Sequence, residues 1–138
     1  MSKIVAIDYG LKRIGIAISD ELRVFAFGLT TVSNSEIIPF LKKTINKEQV
    51  DTIVIGKPLQ SNNRPSEIED QILLFIKNLN KIFPKIIITR YDERFTSLLA
   101  KQTINNSGIT KKKRKNKSLV DKISATIILQ SYLEKKMI

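Results

Sequence analysis

The sequence predicts an α/β protein whose centre is a mixed five-stranded sheet. Three strand-like runs come close together at the start, at residues 4–8, 14–19 and 24–32, and two more follow at 52–56 and 86–91, each after an amphipathic segment. Short connections favour an antiparallel meander for the first three strands, whereas right-handed crossovers make the fourth and fifth parallel to the first. We therefore expect the strand order 3-2-1-4-5, with strand 2 antiparallel and helices on both faces.

Four helices are predicted from apolar residues at helical spacing. The first ends near Lys47, the second is closed by Pro84, the third spans about residues 97–105, and the fourth begins at Ser118. Three of them have a capping-box pattern, a serine with an acidic residue three positions later: Ser33 and Glu36, Ser66 and Glu69, Ser118 and Asp121. The predicted buried face of the last helix consists of Leu119, Ile123, Ile127 and Leu133.

Composition limits the chemistry of the protein. The 138 residues, 42% of them hydrophobic, predict one domain over residues 1–138. No apolar run approaches the ~18 residues of a membrane span, and Asp8 interrupts any signal-peptide pattern, so a cytoplasmic location is expected.

The sequence contains neither cysteine nor histidine, which excludes thiol nucleophiles, imidazole bases and the usual zinc sites. Any metal must be held by oxygen, which favours Mg²⁺ or Mn²⁺.

The net charge of +11 favours nucleic acid as the partner. The alternative is that the lysines are spread over a solvated surface and reflect biased genomic base composition. Six cations lie within seven positions just before the last helix, where we expect a mobile loop that guides a phosphate backbone; the alternative is a solvated tail or a targeting signal. We refer to these cations as the basic segment: Lys111, Lys112, Lys113, Arg114, Lys115 and Lys117.

Three acidic residues stand in chemically suggestive positions. Asp8 and Glu93 follow parallel strands, whose carboxyl ends share one sheet edge, and Asp121 lies at the predicted start of the last helix. Each also has a purely structural explanation: Asp8 could form a turn, Glu93 could be a negative charge that is favoured near a helix start, and Asp121 could belong to a capping box. If all three converge, their repulsion requires a cation. Two magnesium ions ~3.5–4 Å apart could then support phosphodiester hydrolysis without histidine.

Three segments together resemble the YqgF/RuvX family: residues 7–20 (IDYGLKRIGIAISD), 92–97 (DERFTS) and 120–133 (VDKISATIILQSYL). That family has a ribonuclease H-like fold, and its members are described as Holliday junction resolvases or as nucleases that mature the 5′ end of pre-16S ribosomal RNA. The resemblance implies that Asp8, Glu93 and Asp121 are the catalytic, metal-binding acids. The loop at residues 56–64 departs from the family pattern, which usually has an acidic residue and a glycine there.

The resemblance also implies phosphate contacts for three cations beside these acids: Lys12, Arg13 and Arg94. The alternative for each is a surface ion pair with the acids themselves, worth ~0–1 kcal/mol when exposed.

Two other function classes remain open from the sequence. The Asp8-Tyr9-Gly10 turn and Gly15 are similar to the phosphate loop of actin-like ATPases, although those enzymes need two domains to close over a nucleotide. A non-catalytic ribosomal RNA-binding module would need the basic segment but none of the acids. We expect RNA rather than DNA as partner, with the ribosomal small-subunit precursor as a candidate, and leave monomer and homodimer open.

Overall fold

The computed structural model describes residues 2–58, 68–92 and 117–136. Five strands form one mixed sheet of order β3-β2-β1-β4-β5. β2 is antiparallel to β1 and β3, and β4 is parallel to both β1 and β5, which confirms the predicted topology. The strands are β1 Lys3–Tyr9, β2 Arg13–Ser19, β3 Ala26–Ser33, β4 Val50–Lys57 and β5 Ile87–Asp92. The helices are α1 Ile37–Glu48, α2 Glu69–Ile82 and α3 Lys117–Lys136.

The alternation of side chains along the strands builds a core on each face of the sheet. On one face Val5 and Ile7 belong to a cluster that includes Leu41 of α1 and Leu79 of α2. On the other face Ile4 and Ala6 pack with residues of α3. The central strand β1 is therefore covered on both sides, which explains why its sequence is a continuous apolar run.

The carboxyl ends of the parallel strands define one edge of the sheet, which we call the carboxyl edge. β1 ends there at Tyr9, and Lys57 of β4 pairs with Asp92 of β5. Because β2 runs in the opposite direction, its first residue, Arg13, lies at this same edge, paired with Ser33. The topology thus brings together chain segments that are far apart in sequence.

The predicted capping boxes of α1 and α2 are wrong. Ser33 belongs to β3, and Glu36 occupies the N-cap position of α1 without a side-chain cap hydrogen bond. In α2 the N-cap residue is Ile68, whose apolar side chain cannot form such a bond, and Glu69 is the first helical residue, with its carboxylate bound to Arg90. Ser66 lies outside the described residues, as does the predicted helix at 97–105.

The start and the buried face of α3 also differ from the prediction. The helix begins at Lys117, so Ser118 is not its N-cap, and Asp121 is the fifth helical residue. Ile123 and Ile127 are only half-buried, and of the predicted face Leu133 alone is shown to be fully buried. The residues that pack against the sheet are Ala125, Ile128, Leu129 and Leu133. The buried stripe thus runs through Ala125 and Leu129, and Ile123 and Ile127 lie beside it. No described helix is both long enough and apolar enough to cross a membrane.

Candidate functional site

Asp8 lies near the end of β1, on the face of the sheet that α3 covers. It is paired directly with Gly15 of β2. Residues opposite each other in an antiparallel pair point to the same face, and Ile4 and Ala6, which share the parity of Asp8, pack against α3. The half-buried Asp8 carboxylate is therefore presented beneath the first turns of that helix at the carboxyl edge.

Asp121 reaches the same place because α3 passes very close to β2. A Cβ atom built on Gly15 would overlap the backbone carbonyl of Asp121 and would lie 3.2 Å from the Asp121 Cβ. Cβ atoms of directly opposite residues are ~4.5–5.5 Å apart, which puts the Cβ atoms of Asp8 and Asp121 within about 9 Å of each other. The absence of a side chain at Gly15 is what allows this approach.

Asp121 also lies on the stripe of α3 that faces the sheet. It precedes the buried Ala125 by four residues and the buried Ile128 by seven, a spacing that keeps all three on one side of the helix. The packing of the apolar residues therefore determines where the carboxylate lies. Two of the three predicted acids, from segments more than a hundred residues apart, meet across Gly15.

Arg13 pairs with Asp121. The guanidinium Nε donates to Asp121 Oδ2 at 2.9 Å, and the two side chains are 36% and 25% exposed. For Arg13, then, the structure contains the ion pair that the sequence left as the alternative to a phosphate contact. Phosphate binding by Arg13 stays a prediction.

A cleft of about 350 Å³ opens beside this pair. Two cations and one acid contribute to its wall, and the turn between β1 and β2 supplies most of it. The lining residues are Gly10, Leu11, Lys12, Arg13 and Asp121. The excess of positive charge in this wall suits an anionic group, and the carboxylates beside it suit a cation that binds together with that group.

Asn34, which the sequence analysis missed, supports the turn that carries Lys12 and Arg13. Its Nδ2 donates to the Gly10 carbonyl at 3.1 Å and to the Tyr9 hydroxyl at 3.2 Å. Its Oδ1 is buried and has no hydrogen-bond partner among the described residues. Only the three-dimensional pairing of β3 with β2 brings residue 34 back to residue 10, so no local sequence signal indicated this role.

An ion pair that the sequence analysis did not predict joins α2 to the sheet near the carboxyl edge. Arg90 Nη2 donates to Glu69 Oε1 at 2.7 Å, and the Glu69 side chain is only 8% exposed. The same guanidinium donates to the carbonyls of Ile55 and Gly56 at 3.2 and 3.0 Å. Arg90 thus fixes the end of β4 relative to β5, the strand that immediately precedes Glu93 in the chain.

Glu93, Arg94 and most of the basic segment lie outside the described residues, and so does the side chain of Lys117. Within residues 2–58, 68–92 and 117–136, no group of three acids, cysteines or histidines could hold a metal ion. Asp8 and Asp121 supply oxygen donors only, which fits a hard cation such as Mg²⁺ or Mn²⁺. The convergence of all three predicted acids stays a prediction, because Glu93 is outside the described residues.

The sequence matches the family model described as "RuvX: Holliday junction resolvase" over residues 2–135. Two similar relatives, each named "Putative pre-16S rRNA nuclease", come from Bacteroides thetaiotaomicron, at 54% identity over 99% of both chains, and from Flavobacterium psychrophilum, at 50% identity over 99% of this chain and 100% of the relative.

Solved structures with a similar fold include two Holliday junction enzymes. One is Thermus thermophilus RuvC in complex with a Holliday junction substrate, with a TM-score of 0.61, 12% identity, and coverage of 99% of this chain and 96% of that one. The other is the yeast mitochondrial Holliday junction resolvase Ydc2, with a TM-score of 0.57, 10% identity, and coverage of 99% and 79%. At these identities the likeness shows the fold alone.

Proposed function

Because the chain belongs to the RuvX family, we propose that it is a nuclease that hydrolyses phosphodiester bonds with the help of Mg²⁺ or Mn²⁺. The observation that carries this proposal is the meeting of Asp8 and Asp121 across Gly15, beside a cleft that Lys12 and Arg13 line. Carboxylates and cations side by side meet the two needs of phosphodiester chemistry, which are a site for metal ions and a site for the phosphate.

Asp8, Glu93 and Asp121 would hold the divalent ions, two of them when substrate is bound. Bound in this way, such ions activate water and neutralise charge on the leaving oxygen. The chain itself supplies position and charge. The sheet and α3 hold Asp8 and Asp121 rigidly, whereas Lys12 and Arg13 would bind non-bridging phosphate oxygens through charge-assisted hydrogen bonds.

The proposed substrate is the 5′ end of pre-16S ribosomal RNA. The names of the relatives at 54% and 50% identity support this choice, and the net charge of +11 suits a long polyanion. Arg94 and the basic segment would add further phosphate contacts. We further propose that residues 1–138 form one nuclease domain, acting in the cytoplasm as a monomer or homodimer.

Resolution of four-way DNA junctions is the second candidate, because it is the activity in the description of the family model. Binding to ribosomal RNA without cleavage is the third. It would need the basic segment but not the acids.

A direct test compares cleavage of a pre-16S-like RNA and a four-way DNA junction, with Mg²⁺ or Mn²⁺ and with a chelator. Asp8→Asn and Asp121→Asn should each abolish cleavage while RNA binding persists. Asp51→Asn is the matched control, because Asp51 lies at the opposite end of the parallel strands and pairs with Arg23. It should cleave like the wild type.

Each candidate has its own outcome in this assay. Cleavage of the junction but not the RNA would favour the resolvase. RNA binding with no cleavage under any metal condition, and a salt slope of ~5 from the six cations of the basic segment, would favour the non-catalytic module. Undiminished cleavage by Asp8→Asn would overturn the proposed active site.

A further inference from the structure

The Arg13–Asp121 pair joins a proposed phosphate ligand to a proposed metal ligand. Arg13 Nε lies 2.9 Å from Asp121 Oδ2, so the guanidinium occupies one of the two carboxylate oxygens that a metal ion could bind. We propose that Arg13 is an exchangeable counter-cation: it neutralises Asp121 in the metal-free protein and moves to the substrate phosphate when a divalent ion binds. This inference rests on the proposed metal site.

The geometry of the Arg13–Asp121 contact allows it to be broken. Within the part of the chain that the structure describes, Arg13 binds Asp121 through Nε only and not in a bidentate manner. Both side chains are partly exposed, at 36% and 25%. An exposed pair of this kind favours the paired over the unpaired side chains by no more than about fivefold. A divalent ion can therefore displace the guanidinium from Asp121.

The surroundings determine which partner moves. Asp121 is held by the close contact of its backbone with Gly15 and by the apolar stripe of α3. Arg13 stands at the first position of β2 and borders the open cleft of about 350 Å³. The guanidinium can therefore swing into the cleft without disturbing either core, while the carboxylate stays in place.

The Arg90–Glu69 pair provides an internal comparison. It involves two guanidinium nitrogens, further bonds to the Ile55 and Gly56 carbonyls, and a glutamate that is only 8% exposed. The additional hydrogen bonds and the burial of Glu69 make this ion pair harder to break than Arg13–Asp121. Exchange is expected at Arg13 and not at Arg90.

The first experiment follows the arginine Nε–H groups by NMR as Mg²⁺ is added without nucleic acid, with Arg13→Lys used to assign the Arg13 signal. The Arg13 signal should shift with a saturable dependence on Mg²⁺, and the Arg90 signal should stay. An Arg13 signal that does not respond to a saturating ion would overturn the exchange.

The second experiment measures Mn²⁺ affinity by calorimetry and RNA affinity by fluorescence anisotropy, with Ca²⁺ in place of Mn²⁺ to limit cleavage. Arg13→Gln should tighten Mn²⁺ binding about threefold, because no cation competes for Asp121. It should also weaken RNA binding and lower the salt slope by about one. Lys12→Gln is the matched control: it removes one charge from the same cleft, but Lys12 forms no ion pair with a described acid.

Lys12→Gln should lower the salt slope by about as much, with a clearly smaller gain in Mn²⁺ affinity. Equal gains in the two variants, or weaker Mn²⁺ binding by Arg13→Gln, would overturn the exchange and leave the nuclease proposal intact. If instead Asp121→Asn binds Mn²⁺ as tightly as the wild type, the metal site itself is wrong and both proposals fail.

Discussion

Gly15 lies directly beneath the backbone of Asp121, and this contact sets how closely α3 approaches the sheet. A Cβ at residue 15 would overlap the Asp121 carbonyl. Because Gly15 is also the cross-strand partner of Asp8, one residue without a side chain determines the relation between the two acids.

Replacement of Gly15 by alanine should therefore damage the site and the fold together. The added methyl meets backbone atoms that cannot rotate away, so we expect a loss of about 1–3 kcal/mol in unfolding free energy, weaker Mn²⁺ binding and little cleavage. Urea unfolding and calorimetry measure these effects. Gly28→Ala is the control, since its Cβ would meet the side chains of Lys122 and Thr126, at 2.9 and 3.0 Å, rather than backbone. A loss as large for Gly28→Ala as for Gly15→Ala would contradict this explanation.

Removal of Arg90 should destabilise the protein more than removal of an exposed ion pair. Arg90→Met leaves the buried Glu69 without its counter-charge and two carbonyls without their donor, which predicts a loss of about 3–5 kcal/mol. Asp51→Asn breaks the Arg23–Asp51 pair, whose side chains are 34% and 44% exposed, and should cost less than about 1 kcal/mol. Urea denaturation compares the two variants, and similar losses would show that Arg90 is not structural.

The strand order could be predicted because it depends on connection lengths and crossover handedness, which the sequence contains. The close approach at Gly15 could not, because an apolar strand pattern says nothing about which backbone a glycine will meet. The buried face of α3 was misassigned for a related reason. Ile123 and Ile127 form an apolar stripe that competes with the stripe through Ala125 and Leu129, and only the shape of the sheet decides between them.

Some features of the candidate site could likewise be predicted from the sequence, and others could not. Asp8 could be placed at the carboxyl edge from topology alone. The partner of Arg13 could not be chosen between phosphate and carboxylate, since a cation next to an acid in sequence fits both. Arg90 and Asn34 carried no local pattern, because their partners Glu69 and Gly10 are 21 and 24 residues away.

The turn between β2 and β3 should make a pH-dependent contribution to stability. Hydrogen bonds from the backbone N–H groups of Phe25 and Val24 hold the pKa of the Asp20 carboxyl below its ordinary value of 3.8. A lowered pKa means that the contribution is fully present above about pH 4 and is lost as pH falls through the folded-state pKa. Asp20→Asn should thus be destabilised at about pH 7 and should approach the wild type at about pH 2. Urea unfolding at the two pH values tests this, and an unchanged difference would rule out ionisation as the cause.

Asn34 should act through the turn that carries Lys12 and Arg13. Asn34→Asp keeps the size of the side chain but removes the amide donor, which leaves the Gly10 carbonyl without its 3.1 Å partner and brings a negative charge towards it. We expect a loss of about 1–3 kcal/mol in unfolding free energy and weaker RNA binding, because the backbone of the turn that presents the two cations is no longer held in place. Tyr9→Phe is the control: it removes only the hydroxyl that accepts from Asn34 at 3.2 Å and keeps the aromatic contact with Phe75. Its RNA affinity should stay near that of the wild type, and equal losses of affinity in both variants would assign the effect to the hydroxyl rather than to the turn.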